Sequence, residues 1–562
     1  MSDDADPFAR DNLPPRDQWP DLLLNRPEFR YPEQLNCVTA LLDAWLARGH
    51  GTAPCLRSPA ETWTYADMAD RVNRIAEVLT GQFGLRPGGR VLLRAPNTPL
   101  MVAAYLAVIK AGGITVATMP LLRARELAYI LGKARIGIAV CDHRLLADLE
   151  AARPMVAGLR TVAMGGSDAD DLTALMERAT GLFEPYPTRA DDVCLIAFTS
   201  GTTGEPKGTM HFHRDLLAIC DAYGAQVLRA EPSDLFIGTA PLAFTFGLGA
   251  VVLFPLRIGA AAILVEQAAP EALLDAIRRF RPTVCFTAPT AYRVMLGLLR
   301  PGDTDSLRIC VSAGEALPKA TWDAWYAATG IKLMDGIGAT EMLHIFIAAP
   351  RDAIRPGATG LPVPGYEAKL VDEDGRDLPR GSTGRLAVRG PTGCRYLADE
   401  RQRRYVMNGW NVTGDTYHWD EDGYFWFQAR SDDMIVSSGY NIAGPEVEAA
   451  LLRHPAVAEC AVVGVPDEER SAVVKAFVVL RDPAVAGPEM RRTLQDHVKA
   501  EIAPYKYPRA VEFLDMLPRT ESGKLQRFRL RQAATPDPAA DPACTSRPDA
   551  APWAAAATRS PR

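Results

Sequence analysis

The chain of 562 residues has no long unbroken apolar run, no excess of basic charge and no closely spaced cysteine pair, and each absence narrows what it can be. Its ten cysteines (Cys37, Cys55, Cys141, Cys194, Cys220, Cys285, Cys310, Cys394, Cys460 and Cys544) contain no C-x-x-C pair. Neither a zinc centre nor a disulfide framework is indicated, and reduced, buried thiols are expected. A formal net charge of -6 argues against a nucleic-acid binder, which usually carries a basic stripe. The most apolar stretch, Gly247 to Val265, is interrupted by Pro255, Arg257 and several glycines. It reads as core, since a membrane span needs roughly 20 predominantly apolar residues. The acidic, proline-bearing N-terminus lacks a signal peptide's basic and apolar regions, so a cytoplasmic protein is expected.

What is present is a length too great for one core, with 48% hydrophobic residues. From Thr64 onward the pattern alternates. Thr64 can cap a helix whose apolar face is Met68, Val72, Ile75 and Leu79, and Val91–Leu93 follows as a strand. An Ala-rich helix stops at Gly112-Gly113 before the strand Ile114–Ala117. Helix Glu271–Arg279 leads to strand Thr283–Thr287, and Arg308–Ser312 is another buried strand. Repetition of this kind predicts an α/β protein with largely parallel sheets. Past Pro364, short strands joined by Asp/Gly turns predict a smaller β-rich subdomain. An α+β unit follows from about Asp433 to Gln532, and the Ala/Pro/Asp/Ser/Arg-rich remainder has too little apolar bulk to order.

The strongest local signal is Thr199-Ser200-Gly201-Thr202-Thr203-Gly204-Glu205-Pro206-Lys207-Gly208, directly after the apolar strand Val193–Phe198. Its glycines let backbone N–H groups approach an anion, and four hydroxyls and a lysine add donors. A Walker loop is excluded: Pro206 stands where its second glycine belongs, and Gly208 follows Lys207 in place of Ser or Thr. A Rossmann fingerprint is excluded too, because Glu341 stands where the third glycine after Gly336-Ile337-Gly338 belongs.

The T-S-G-T-T-G-x-P-K-G loop resembles the phosphate loop of the adenylate-forming superfamily of acyl-CoA ligases, luciferases and peptide-synthetase adenylation domains. Further motifs follow in the family's order and cover the chain from about residue 35 to 530. Ser312-Ala313-Gly314-Glu315-Ala316 resembles the segment beside adenine. Asp335-Gly336-Ile337-Gly338-Ala339-Thr340-Glu341 resembles the adenine and magnesium motif, with Glu341 the Mg²⁺ ligand and Thr340 a donor to the α-phosphate. Thr413-Gly414-Asp415 resembles the ribose-binding turn, and Arg430-Ser431-Asp432-Asp433 the ribose arginine and the hinge, Asp432. Ser437-Ser438-Gly439-Tyr440-Asn441 resembles the loop of the second half-reaction, where Gly439 lets a pantetheine arm pass. Pro518–Lys524 resembles the motif whose lysine, here Lys524, completes adenylation.

The resemblance implies an N-terminal extension (1–34), an AMP-binding domain (35–431), a mobile C-terminal domain (432–532) and a disordered tail (533–562). It implies ATP, Mg²⁺ and coenzyme A: the acid attacks the α-phosphorus of ATP, and the acyl group then passes to the thiol. Thr199–Lys207 hold the departing pyrophosphate, and Lys524 bridges carboxylate and phosphate until rotation about Asp432 withdraws it.

The run Met342-Leu343-His344-Ile345-Phe346 is similar to benzoate-type aryl-CoA ligases, and Pro241–Gly247 supplies the opposing wall. That match implies an aromatic-acid pocket of Thr245, Phe246, Gly338, His344 and Ile345. Where benzoate enzymes tend to carry Ala and Tyr, Thr245 and Phe246 stand here. Thr245 adds a hydroxyl able to hydrogen-bond an ortho substituent, and Arg26–Asp43, Met210–Arg214 and Gly409–Glu448 are similar to the 2-aminobenzoate–CoA ligase branch; the resemblance therefore favours 2-aminobenzoate, with benzoate or another substituted benzoate next and carrier-protein loading as a further alternative. A homodimer is left open. His211 and His213, with no third ligand nearby in sequence, read as helix-start residues and not as a metal site.

Overall fold

Thr64 caps its helix as expected. In the computed structural model its hydroxyl accepts from the Asp67 amide at 3.1 Å, while the Asp67 carboxylate accepts from the Thr64 amide at 2.9 Å. This reciprocal cap, worth about 1 kcal/mol, starts the helix Tyr65–Gly81, whose Met68, Val72, Ile75 and Leu79 are buried. The next helix, Pro99–Lys110, is buried on every side, and even Lys110 is held inside by Asp43 at 2.8 Å and Asn73 at 2.7 Å. The structure describes residues 5–156, 158–199, 205–266, 269–315, 317, 319–372, 374–430, 434–467, 469–518 and 527–534.

The described residues form two compact units. The first takes in the chain to Thr199 and Pro206–Asp432, and the second begins at Asp433. In the first unit a six-stranded sheet runs in the order Arg160–Met164, Ile138–Asp142, Arg90–Arg94, Ile114–Thr118, Val193–Thr199, Lys207–Phe212. Every pair is parallel except the last. A nine-stranded sheet has a parallel centre: Leu333–Gly338, Ile309–Ala313, Val284–Thr287, Leu235–Gly238, Ala261–Ile263 and Pro54–Arg57. Antiparallel strands Ile345–Ala348 and Thr62–Thr64 flank it. The β-rich part past Pro364 is an antiparallel sheet built on Glu367–Val371, Thr383–Arg389, Trp410–Trp419 and Phe425–Arg430.

The expected N-terminal extension is folded onto the first unit. Asp6 pairs with Arg90 at 2.6 Å, Leu22 bridges to Gly390, and the Trp19 ring lies 5.6 Å from that of Phe212. Gly247–Val265 is core, as read, and no helix among the described residues is long and apolar enough to cross a membrane.

The second unit contains the hairpin Met434–Ser437/Tyr440–Ala443, a three-stranded sheet (Val457–Asp467, Ser471–Leu480, Ala510–Phe513) and helices Gly444–Leu451, Pro488–Glu501 and Arg527–Ala534. The last helix ends just beyond Gln532; residues 535–562 lie outside the described chain. The fold is therefore a large α/β unit with mostly parallel sheets and a β-rich part, followed by a smaller α+β unit.

Candidate active site

The strands on either side of the glycine-rich loop pair antiparallel, with Thr199 opposite Lys207. Ser200, Gly201, Thr202, Thr203 and Gly204 lie outside the described residues. At the loop's entrance the Thr199 hydroxyl is buried with no hydrogen-bond partner, an unmet donor and acceptor at the position expected to face phosphate. At its exit Lys207 points inward: Nζ donates to the Tyr396 hydroxyl at 2.9 Å and lies 3.6 Å from Glu341 Oε1.

Glu341 and Thr340 sit on the short turn Thr340–Met342, directly after the strand Leu333–Gly338. The Tyr396 hydroxyl donates to Glu341 Oε1 at 2.5 Å, leaving Oε2 without a hydrogen-bond partner among the described residues. The Thr340 carbonyl contacts His211 Nε2 at 2.8 Å. Behind His211 lies Asp215, fully buried and ion-paired with Arg395. Burial is the largest influence and would raise the Asp215 carboxyl, but the Arg395 charge, the hydrogen bond and charge of His211 and the Arg214 charge together outweigh it and hold the acid far below its ordinary range.

His211 is thus no helix-start residue. It belongs to the strand Lys207–Phe212 and braces the turn that carries Thr340. His213 does begin a helix, but its Nδ1 faces Cys37 Sγ at 3.3 Å, and Cys194 completes a buried trio that no sequence spacing announced. The nine described cysteines are free and buried, as expected.

The nucleotide candidates converge at the C-terminal ends of adjacent parallel strands, where open α/β sheets place ligands. Ile309–Ala313 runs beside Leu333–Gly338 with Ser312 opposite Asp335 and Ala313 opposite Gly336. The first strand delivers Gly314 and Glu315, and the second delivers Asp335, Gly336 and Ile337. Gly314 has φ +91° with open space on its Cβ side, a conformation few side chains tolerate. Glu315 accepts from the Thr290 hydroxyl at 2.5 Å. Burial pushes the Asp335 carboxyl up to about 8. Elsewhere in this unit Asp415 and Arg430 stand opposite each other in the ladder of Trp410–Trp419 with Phe425–Arg430.

The five acyl-pocket candidates also come together. Gly338 pairs with Ile345, and a Cβ on Gly338 would lie 2.8 Å from the His344 carbonyl oxygen. Thr245 and Phe246 open the helix Thr245–Leu248, with the Phe246 ring 5.7 Å from that of His344. Tyr223 and Phe254, absent from the sequence reading, complete an aromatic cage at 5.7 and 4.6 Å from His344. Gly249 makes room for the imidazole, since a Cβ there would lie 2.3 Å from His344 Cδ2. Burial drives the His344 pKa down to about 3, so the ring is neutral. Its Nε2 makes one long contact, 3.4 Å, with the Phe246 carbonyl, and its Nδ1 is buried without a partner.

In the second unit Gly439 has φ +80° and Ser438 φ +49°, forming the two-residue turn between Met434–Ser437 and Tyr440–Ala443. That turn requires positive φ at both positions, so it accounts for Gly439 independently of any ligand. Asp432 and Lys524 lie outside the described residues.

Comparison with known proteins agrees with this geometry. The AMP-binding enzyme model matches residues 43–396, and the AMP-binding enzyme C-terminal domain matches 446–524. The chain belongs to the AMP-binding enzyme family, in its adenylate-forming aryl-CoA ligase branch. It is an AMP-forming acid–CoA ligase. A benzoate–CoA ligase of Thauera aromatica is 38% identical over 518 residues, 90% of this chain and 98% of the relative. The anthranilate CoA ligase AuaEII, solved with anthranoyl-AMP, is 36% identical at a TM-score of 0.71, covering 91% of this chain and 99% of its own. The amide bond synthetase McbA of Marinactinospora thermotolerans overlays at a TM-score of 0.80 with 29% identity, covering 89% and 100%.

Two groups of functional residues escaped the sequence reading. Tyr396 and Arg395 fall in no motif singled out there, and Tyr223 and Phe254 reach His344 only through tertiary packing.

Proposed function

We propose that this chain is an ATP-dependent aryl-CoA ligase that converts 2-aminobenzoate to its acyl-adenylate and then to the CoA thioester. The observation that carries the choice of acid is His344 Nδ1. With the ring neutral and Nε2–H directed at the Phe246 carbonyl, Nδ1 holds a lone pair in an aromatic cage with no protein donor to satisfy it. An unpaired buried acceptor costs about 1–3 kcal/mol. An aromatic acid with an N–H donor on its ring removes that cost, and benzoate cannot. The flat cage of Phe246, Tyr223 and Phe254 suits the ring itself.

The first step needs no general base, since the carboxylate oxygen is already anionic. It forms a bond to the α-phosphorus of ATP while the bond to pyrophosphate breaks. Lys207 and the hydroxyls of the loop from Thr199 are assigned to neutralise the departing charge, and Lys524 to join the two anions. In the second step the sulfur of CoA, its proton lost to solvent, displaces AMP from the acyl carbon. Mg²⁺ fits the free Oε2 of Glu341, a hard oxygen donor beside the phosphate loop, and would screen the triphosphate. Asp335, Ile337 and Gly314 line the adenine side, and Asp415 with Arg430 the ribose side.

AMP release measured with CoA across a panel of 2-aminobenzoate, benzoate and hydroxybenzoates tests the reading. The highest kcat/KM is expected with 2-aminobenzoate, and a tenfold or greater preference for benzoate would overturn that choice of acid. The overlay on an amide bond synthetase favours one second reading, an amine acceptor in place of CoA. Supplying CoA, a carrier protein or a free amine to the preformed adenylate separates the three outcomes.

A further inference from the structure

The segment Cys394–Leu397 belongs to none of the nucleotide motifs read above, yet it supports Lys207 and the turn of Thr340 and Glu341 from two directions. It lies along the strand that leaves the phosphate loop: the Met210 amide donates to the Arg395 carbonyl at 2.8 Å, and the Leu397 amide to the Gly208 carbonyl at 2.8 Å. Thr209 and Tyr396 form an antiparallel bridge. From this strap the side chains diverge. Arg395 reaches Asp215, which lies behind His211 and the Thr340 carbonyl. Tyr396, 1% exposed, reaches Glu341 and Lys207 together.

A phenol has one proton and can donate only once. At 2.5 Å from an acceptor-only carboxylate the Tyr396 proton is directed at Glu341 Oε1, so its oxygen receives a proton of the Lys207 ammonium at 2.9 Å. The order Lys207 to Tyr396 to Glu341 is therefore fixed in direction. The carboxylate is left with one committed oxygen and one that has no hydrogen-bond partner among the described residues.

We propose that Tyr396 is a positioning residue for adenylation: by binding Glu341 Oε1 and Lys207 Nζ at once, it presents Glu341 Oε2 to the metal–nucleotide complex and sets Lys207 against the phosphates. This rests on reading Glu341 as the cation ligand. Groups of this kind, one shell behind a ligand, typically change metal affinity or activity by about 10–100-fold when removed.

The test is Tyr396→Phe in the full chain, with 4-fluorophenylalanine at the same position as a second variant that keeps the ring and loses the donor. Calorimetric titration with Mn²⁺·ATP, without acid or CoA, reads binding in the absence of turnover. An affinity about 10–100-fold weaker is expected, together with a higher Mg²⁺ requirement for pyrophosphate exchange and a KM for the aromatic acid changed less than twofold. Unchanged Mn²⁺·ATP affinity and unchanged Mg²⁺ requirement in a folded variant overturn the proposal. Glu341→Gln, alone and combined with Tyr396→Phe, separates the two layers. If Tyr396 acts on Lys207 and in part through Glu341, the double variant loses less Mn²⁺·ATP binding free energy than the sum of the two single losses. Additive losses overturn the role of Tyr396 and leave Glu341 standing. Full affinity in Glu341→Gln overturns the reading of Glu341 and the proposal with it.

Discussion

Glu341 and His344 follow one another on the same short stretch and are both buried, yet the protein treats them oppositely. Glu341 has Tyr396 on one oxygen and Lys207 nearby, and the carbonyl of the preceding residue is braced by His211. His344 sits among Tyr223, Phe246 and Phe254 with one long contact and an unsatisfied Nδ1. The first arrangement holds one carboxylate oxygen and its lysine neighbour in place before any ligand arrives. Charge development at a phosphate is served by groups that need not reorganise. The second has an acceptor without a partner among the described residues, and in the proposed function this selects the acid, since a buried acceptor discriminates against ligands that leave it unpaired.

The sharpest way to break the contrast is to remove support from the Glu341 side. Arg395→Met leaves the Asp215 carboxylate buried without its ion pair, and it also removes a guanidinium lying 3.9 Å from the Phe212 ring centroid. A loss of about 3–5 kcal/mol is expected, read as a large fall in the denaturant midpoint. A stability within 1 kcal/mol of the parent, taken as about the largest effect of an exposed pair, would mean that the network contributes no more than a surface one. On the other side, His344→Phe keeps the aromatic cage and removes the acceptor. The ratio of kcat/KM for 2-aminobenzoate over benzoate should fall by about tenfold, the equivalent of one buried hydrogen bond. A ratio that does not move would assign the discrimination to Thr245.

The remaining prediction concerns pH. The His344 pKa is depressed from 6.5 to about 3 on folding, so between those values the unfolded chain holds a proton that the folded chain lacks. This contribution to stability is complete above pH 6.5 and is lost as pH falls toward 3, with a slope of up to about 1.4 kcal/mol per pH unit. Unfolding free energies of the parent and of His344→Phe, measured from pH 4 to 7, should diverge in slope by up to one proton. Parallel curves would show that the ring is not desolvated as the packing indicates.

Much of this was legible in the chain alone. Thr64 with Asp67, the Gly112-Gly113 stop and the alternation of apolar runs are short-range signals, and the elements form where these place them, with ends shifted by a residue or two. The turn from Gly336 to Glu341 and the pocket run at His344 were legible for the same reason: each motif is contiguous. His211 was misread because its neighbour His213 does start a helix, and nothing local shows that the strand continues through Phe212.

Sequence by itself determined the α/β alternation, the family, the order of the nucleotide motifs and which contiguous residues are candidates for the nucleotide and acid sites. Hydrogen-bond patterns and apolar periodicity within one element are enough to specify those. Only the tertiary structure decided that Tyr396 joins Lys207 to Glu341, that Arg395 and Asp215 lie behind Thr340, and that Tyr223 and Phe254 close the cage around His344. Those contacts join residues far apart in the chain, and burial, not spacing, makes each polar partner necessary.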